Sequence, residues 1–195
     1  MKSLILSLII FLMFAGITFA QTTLHSESNT VVTKVGNPVG AIAACPIPNG
    51  RINCGSKNIP INGCGHCGVG YDAYMANCTY PGIYYAMDIG GADFQDVILP
   101  SVNGAVIDWV FLGETNNVGN QAIQNYSGTD TSTGSKYRIQ FHHTAPGSGA
   151  GNHSSGDVGA KICGSGCGMG HVHVEFGKAT PSGTEWVDAP SYFCK

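Results

Sequence analysis

The segment from His171 to Phe176 (His-Val-His-Val-Glu-Phe) carries the side chains best suited to chemistry. In an extended strand successive side chains point to opposite faces, so the two histidines and Glu175 share one face. The three apolar residues share the other face, which predicts that the strand is anchored in a core. His171 and His173 then stand about 7 Å apart at the backbone, within reach of one metal ion and its bound water. The pattern favours metal binding or acid–base catalysis at these histidines.

The elements that must position this strand are predicted to be further strands. Short apolar runs bounded by Gly, Pro or Asn span residues 84–89, 95–99, 104–112 and 136–142. Charged residues make up only 11% of the chain and glycines number 28, which disfavours a helical bundle or a coiled coil. We therefore expect an all-β domain over residues 84–195 with an antiparallel core. Two stretches rich in Asn, Gly, Ser and Thr, residues 115–135 and 146–155, are predicted to be surface loops.

The first 20 residues have the features of a secretory signal peptide. Lys2 supplies the positive charge, an apolar run follows over residues 4–14, and small residues flank the position before Gln21. Because this run is shorter than the roughly 20 apolar residues of a membrane span, we expect cleavage and no membrane association afterwards. The sequence predicts a secreted protein in which residues 21–44 form a loose leader.

Cysteines dominate the segment 45–83, which holds five of the eight in the chain. In an oxidising compartment an even number of cysteines predicts up to four disulfides, and the sequence leaves their connectivity open. We expect this segment to be stapled by disulfides, because it has too little apolar material for a core of its own. A zinc site built from the pairs at 64/67 and 163/167 is the alternative. The eight residues are Cys45, Cys54, Cys64, Cys67, Cys78, Cys163, Cys167 and Cys194.

The charge distribution excludes one class of partner. The formal net charge is −3 and the nine basic residues are scattered, so no Lys/Arg stripe is available to neutralise phosphates. We therefore expect no nucleic-acid partner. Three Asn-X-Ser/Thr sequons, at Asn77, Asn125 and Asn152, predict a glycoprotein if the host is eukaryotic.

The C-terminal half resembles lysostaphin/LytM-type zinc endopeptidases, and the resemblance covers roughly residues 80–177. It is carried by Gly156-Asp157-Val158, Gly-Ser-Gly at 164–166, the strand from His171 to Glu175, and upstream by Met87-Asp88-Ile89, Val97 to Pro100 and Gly104-Ala105-Val106. The resemblance implies a small antiparallel β-sheet sandwich or barrel-like core. It also implies a zinc-dependent hydrolase that cuts the peptide cross-links of bacterial cell-wall peptidoglycan.

Carried over to this chain, the resemblance implies Asp88 and His173 as zinc ligands and His171 as a catalytic histidine that stabilises the attacked carbonyl. The family's other catalytic histidine follows a strand after an aromatic residue. His143 fits that description, and His142 is the alternative because a one-residue slip reverses the face. Glu175 has two interpretations: a partner that orients a ligand histidine, or an exposed strand residue.

The chain departs from the family pattern at Tyr84, where the family has its first ligand histidine. Asp88 and His173 alone leave two protein ligands where catalytic zinc normally has three. Tyr84 as a phenolate is one candidate for the third, and His66 or His153 are others, although neither lies at a motif position. Two functions follow. One is a secreted zinc endopeptidase acting on glycine-rich or peptidoglycan peptides, and the other is a catalytically silent binding or signalling module on the same fold.

Overall fold

The computed structural model describes residues 45–68, 70, 78, 80–116, 119–164, 166–167 and 170–195. The predicted signal peptide, the leader and Asn77 lie outside these ranges. In chain order the elements are β1 (Ile52–Cys54), α1 (Pro81–Tyr85), β2 (Met87–Gly90), β3 (Asp96–Ile98), β4 (Ile107–Asn116), β5 (Ala122–Asp130), β6 (Lys136–Thr144), β7 (Asn152–Ser154), β8 (Val158–Lys161), β9 (His171–Thr180), β10 (Gly183–Trp186) and a 3-10 turn (Ala189–Ser191). Within the described ranges no helix is long and apolar enough to cross a membrane.

The strand that carries the histidine motif lies in the interior of the larger sheet. That sheet has the order β1-β2-β9-β6-β5-β4-β7, and β3 and β8 form a second, two-stranded sheet. One edge of β9 pairs first with β2 and then with β10, while its other edge pairs with β6. All of these strand pairs are antiparallel, so the prediction of an all-β antiparallel fold is confirmed. Because β9 is paired along both edges, the neighbouring strands hold its side chains in position from both sides.

The hydrophobic core covers one face of the larger sheet. Val172, Val174 and Phe176 of β9 are fully buried in it, as the alternation of the motif predicts. Ile139 and Phe141 of the neighbouring β6 join them, and the small sheet closes the core from the other side. The opposite face of β9 carries His171, His173 and Glu175, and we call this side of the sheet the outer face. Burial of the valines thus determines where the histidines point.

Four disulfides are present, two of them within the N-terminal segment and one, Cys45–Cys194, joining that segment to the end of the chain. They join Cys45 to Cys194, Cys54 to Cys64, Cys67 to Cys78, and Cys163 to Cys167. The prediction of four disulfides is therefore confirmed, and the alternative zinc site built from these cysteines is wrong because all eight sulfurs are paired. Ile47 enters the core and β1 pairs with β2, so this segment packs on the domain that follows it. Disulfides of this number are typical of proteins in an oxidising compartment.

The prediction of a surface loop over residues 115–135 is wrong, because β5 crosses the interior of the sheet between β4 and β6. Because β5 has many polar residues, the hydrophobic pattern of the sequence did not indicate a strand there. Gln124 is fully buried, but its Nε2 donates a hydrogen bond of 2.6 Å to Glu114 Oε2, which offsets part of the cost of burying an amide. The apolar run predicted at 84–89 also begins later as a strand. Pro81 starts a short helix there, and β2 begins at Met87.

Candidate metal centre

Asp88 is the point on which the imidazoles of the outer face converge. The register of β2 against β9 places Asp88 opposite His173, and their Oδ1 and Nδ1 atoms are 2.9 Å apart. His171 Nε2 lies 3.8 Å from the same oxygen. A third imidazole reaches it from outside the sheet, since His66 Nε2 is 3.3 Å from Asp88 Oδ1. One carboxylate oxygen thus faces nitrogens from three histidines.

The disulfide-stapled segment delivers His66 to this position. The residue lies between Cys64 and Cys67, both of which are disulfide-bonded, and it is 1% exposed. Its Nδ1 lies 2.7 Å from the carbonyl oxygen of Gly55. Because a carbonyl only accepts, Nδ1 must carry the hydrogen, and in neutral His66 the lone pair of Nε2 faces Asp88. Metal-bound histidines use this same arrangement, in which the distal N–H donates to a backbone carbonyl.

When the imidazoles are neutral, the cluster around Asp88 has more hydrogen-bond acceptors than hydrogens to donate to them. His173 has a carboxylate oxygen beside each ring nitrogen, with Asp88 Oδ1 at 2.9 Å from Nδ1 and Glu175 Oε1 at 3.4 Å from Nε2. His66 likewise directs a lone pair at Asp88. An additional positive charge, either a proton or a metal ion, must lie among these atoms to offset the repulsion. Two imidazoles and one carboxylate are the ligand chemistry that zinc prefers, so His66, Asp88 and His173 fit a zinc ion.

Tyr84 does not take part in this cluster. Its hydroxyl donates a hydrogen bond to the carbonyl of Cys78, and the ammonium of Lys57 lies 4.8 Å from the centre of its ring. The prediction that Tyr84 faces the ion is therefore wrong. The reason is that residues 81–85 form a helix rather than an extension of β2, which turns the side chain to another surface.

Glu175 lies behind His173 and is 1% exposed, so the interpretation as an exposed strand residue is wrong. Its Oε1 lies 3.4 Å from His173 Nε2 and 3.6 Å from His142 Nε2. Gly82 of α1 makes room for the carboxylate, because a Cβ atom at that position would collide with Glu175 Oε2. A ligand histidine held by a carboxylate on its far nitrogen has a fixed ring orientation.

A bulge in β6 directs two consecutive histidines to the site. Between the pairs Gln124–Phe141 and Ala122–Thr144, β6 has one more residue than β5. His143 takes a φ of 60°, a left-handed conformation that occurs at one class of β-bulge. Alternation therefore fails here. The ring centres of His142 and His173 are 4.9 Å apart, and those of His143 and His171 are 4.8 Å apart.

Gln121 fixes the proton on His143, and sequence reasoning missed it. The Nε2 of Gln121 donates to the carbonyl of Cys167 at 3.0 Å, so its Oε1 must be the atom 2.5 Å from His143 Nδ1. An amide oxygen only accepts, which places the hydrogen on Nδ1 and the lone pair on Nε2. Nothing in the sequence around Gln121 signals this role, because the contact joins the end of a loop to a residue 22 positions later.

Burial and neighbouring charges divide the site into charged and neutral groups. Burial would raise the pKa of Asp88, but hydrogen bonds with His173 and His66 hold it well below its usual range. Burial would lower the pKa of His173, yet hydrogen bonds to Asp88 and Glu175 raise it to about 9. Burial and the nearby His173 hold the pKa of His142 well below normal, and burial with His173 and His171 lowers that of His143 to about 3. At neutral pH His142 and His143 are therefore uncharged.

The remaining predicted residues lie apart from this centre. His153 is on the edge strand β7, where its Nε2 contacts the carbonyl of Ala150. Asn152 is exposed on the same strand, so its sequon is accessible. Asn125 instead uses its side-chain nitrogen within the sheet, donating to the carbonyls of Gly113 and Ile123, both at 3.2 Å. Only one of these two sequons therefore has its side-chain amide free of the sheet's hydrogen bonds.

Comparison of the chain with models of known protein families, with curated proteins and with solved structures finds no match.

Proposed function

We propose that this protein is a secreted zinc endopeptidase of the lysostaphin/LytM type, acting on glycine-rich or peptidoglycan peptides. The observation that carries the proposal is the convergence of His66 Nε2 and His173 Nδ1 on Asp88 Oδ1, at 3.3 and 2.9 Å. This set supplies the three protein ligands of catalytic zinc, which leaves a further position for water or substrate. The four disulfides support an extracellular location.

The other two histidines are placed to act on a substrate at this centre. When bound, a zinc ion supplies Lewis-acid chemistry, because it polarises a peptide carbonyl and lowers the pKa of water. His143, whose Nε2 lone pair is free of Gln121, orients the attacking water by accepting a hydrogen bond from it. His171, with its ring centre 4.8 Å from that of His143, donates a hydrogen bond to the oxyanion that develops on the carbonyl. Glu175 and Gln121 hold His173 and His143 in orientation.

The alternative, a catalytically silent binding or signalling module, drew its support from the missing histidine at position 84. His66 Nε2 lies 3.3 Å from Asp88 Oδ1, and with His66 counted as a ligand the ligand count no longer argues against an enzyme. Retention of His143 and His171 beside the ligands supports catalysis further, since a binding module has no need of them.

Zinc content and hydrolysis, measured together on disulfide-bonded protein, test the proposal. We expect about one zinc ion per chain and cleavage of a pentaglycine peptide that stops with a chelator and returns with zinc. His171→Ala should keep the zinc and lose cleavage. His153→Ala, a histidine outside the cluster, should change neither. Failure of the wild type to retain zinc, or zinc retention without cleavage of any glycine-rich or cell-wall peptide, would overturn the proposed function.

A further inference from the structure

The outer face of the sheet continues from the candidate metal centre along β6 and β9. Cross-strand pairs follow one another in register: His142 opposite His173, Gln140 opposite Glu175, and Arg138 opposite Gly177. Contact between His142 Nε2 and Gln140 Oε1, at 3.5 Å, shows that these two side chains share the face. Arg138 lies four residues from His142, which is about 13 Å along an extended strand. The column thus leads from the reactive centre to a single arginine.

A cavity of about 160 Å³ lies at the far end of this column. The side chains that shape it are Leu112, Asn125, Arg138, Gln140, Thr184 and Trp186. Gly177 allows β10 to approach closely here, because a Cβ atom at that position would lie 2.5 Å from Thr184 Cγ2. Because Gly177 has no side chain, its partner Trp186 can lie over the outer face. The cavity has an aromatic wall on one side and amides on the other.

The polar groups of this cavity leave one positive charge without a counter-ion. Gln140 Nε2 donates to Asn125 Oδ1 at 2.8 Å, so the two amides hold each other in place. Among the described residues, the guanidinium of Arg138 forms no salt bridge and no hydrogen bond, and no carboxylate lines the cavity. Arginine presents five donors in a planar fork that matches a carboxylate. The half-buried position, beside a tryptophan, strengthens such a pair relative to one in open solvent.

We propose that this cavity is a substrate subsite that binds a carboxylate of the peptide, with Arg138 as the residue that recognises it. This inference rests on the proposed function and adds the substrate class. Since an extended peptide rises about 3.3 Å per residue, the carboxylate belongs to a residue roughly four positions from the scissile bond. Both an acidic side chain and a free C-terminus supply this chemistry.

Binding of short peptides to the zinc-loaded protein tests the subsite separately from catalysis. Fluorescence of Trp186 is the readout, because Trp109, the only other tryptophan, is fully buried. The first two probes are hexaglycine peptides blocked at both ends, in which one glycine near an end is replaced by Glu or by its neutral isostere Gln. The third probe is hexaglycine with a free C-terminal carboxylate. We expect the Glu or free-carboxylate peptides to bind about fivefold more tightly than the Gln peptide, with the two probes deciding which carboxylate is preferred.

Arg138→Gln should abolish this preference, and Arg138→Lys should retain part of it. The matched control is Lys178→Gln, which removes the same charge one residue from Gly177 but from the opposite side of β9. Equal binding of Glu, Gln and free-carboxylate peptides to the wild type would overturn the subsite, as would an equal loss in both charge variants. A Glu preference in protein that hydrolyses nothing would leave the subsite standing while the proposed function fails. Hydrolysis without any acidic preference would overturn the subsite alone.

Discussion

His66 Nε2 lies 3.3 Å from Asp88 Oδ1, although one residue belongs to a loop stapled by disulfides and the other to an interior strand. Under the proposed function, this relationship supplies the third ligand that the motif pattern lacks. It also separates two hypotheses about the metal, because Tyr84 directs its hydroxyl to Cys78 instead.

Replacing His66 by alanine should therefore weaken zinc binding strongly. We expect a loss of at least about a hundredfold in affinity, since even residues that only orient a ligand are worth about 10–100-fold. Competition with a chromophoric chelator measures this. Tyr84→Phe is the control and should bind zinc like the wild type. If the tyrosine variant loses affinity and the histidine variant does not, the ligand assignment is wrong.

Zinc affinity should rise with pH up to about pH 9. His173 has a pKa raised to about 9 in the metal-free site, so at pH 7 zinc must displace a proton from it. Asp88, whose pKa is held far below its usual range, adds no such competition near neutrality. We expect the apparent affinity to increase about tenfold per unit between pH 7 and pH 9. Calorimetry in buffers of different ionisation enthalpy should also show the released proton, and pH-independent binding would contradict this prediction.

Gln121→Leu should misplace His143 without removing the metal. The variant loses the acceptor for His143 Nδ1–H, so the ring is free to change tautomer or rotate. We expect turnover of a glycine-rich peptide to fall about tenfold with an unchanged KM, and zinc content to stay at the wild-type level. Nitrogen-15 NMR of the imidazole reports the tautomer directly. A wild-type tautomer together with wild-type turnover would show that Gln121 has no positioning role.

Val172→Asp should destabilise the fold severely. The side chain is fully buried in the core, and an unpaired buried carboxylate costs about 3–5 kcal/mol. Val158→Asp is the matched control, because that valine is 40% exposed in β8, and it should cost about 1 kcal/mol or less. Denaturant unfolding of both variants gives the comparison. Equal stabilities would mean that β9 faces the other way.

Much of this architecture follows from local pattern. The alternation from His171 to Phe176 predicts which residues enter the core and which form the site, because burial of three apolar side chains leaves β9 no second orientation. The cysteine count predicts the four disulfides. Both inferences use only neighbouring residues or composition.

The other features of the fold and the site depend on contacts between residues far apart in the sequence, which local sequence patterns do not indicate. His66 reaches Asp88 from a loop that the Cys54–Cys64 disulfide ties to β1, and the connectivity of eight cysteines is open in the sequence. β5 was not predicted because its residues are largely polar, and the partner of its buried Gln124 Nε2 is Glu114 on another strand. The choice between His142 and His143 assumed regular alternation, which the bulge removes.

The bulge in β6 also determines how this strand can change in length. Ile139, Phe141 and Thr144 all face inward, and they do so only because one extra residue stands between the last two. A chain shortened by one residue at this point would be restored to regular pairing with every core residue still in phase. The deletion would remove a single imidazole from the outer face. Under the proposed function, we therefore expect the deletion of one residue here to cost catalytic chemistry while the core keeps its packing.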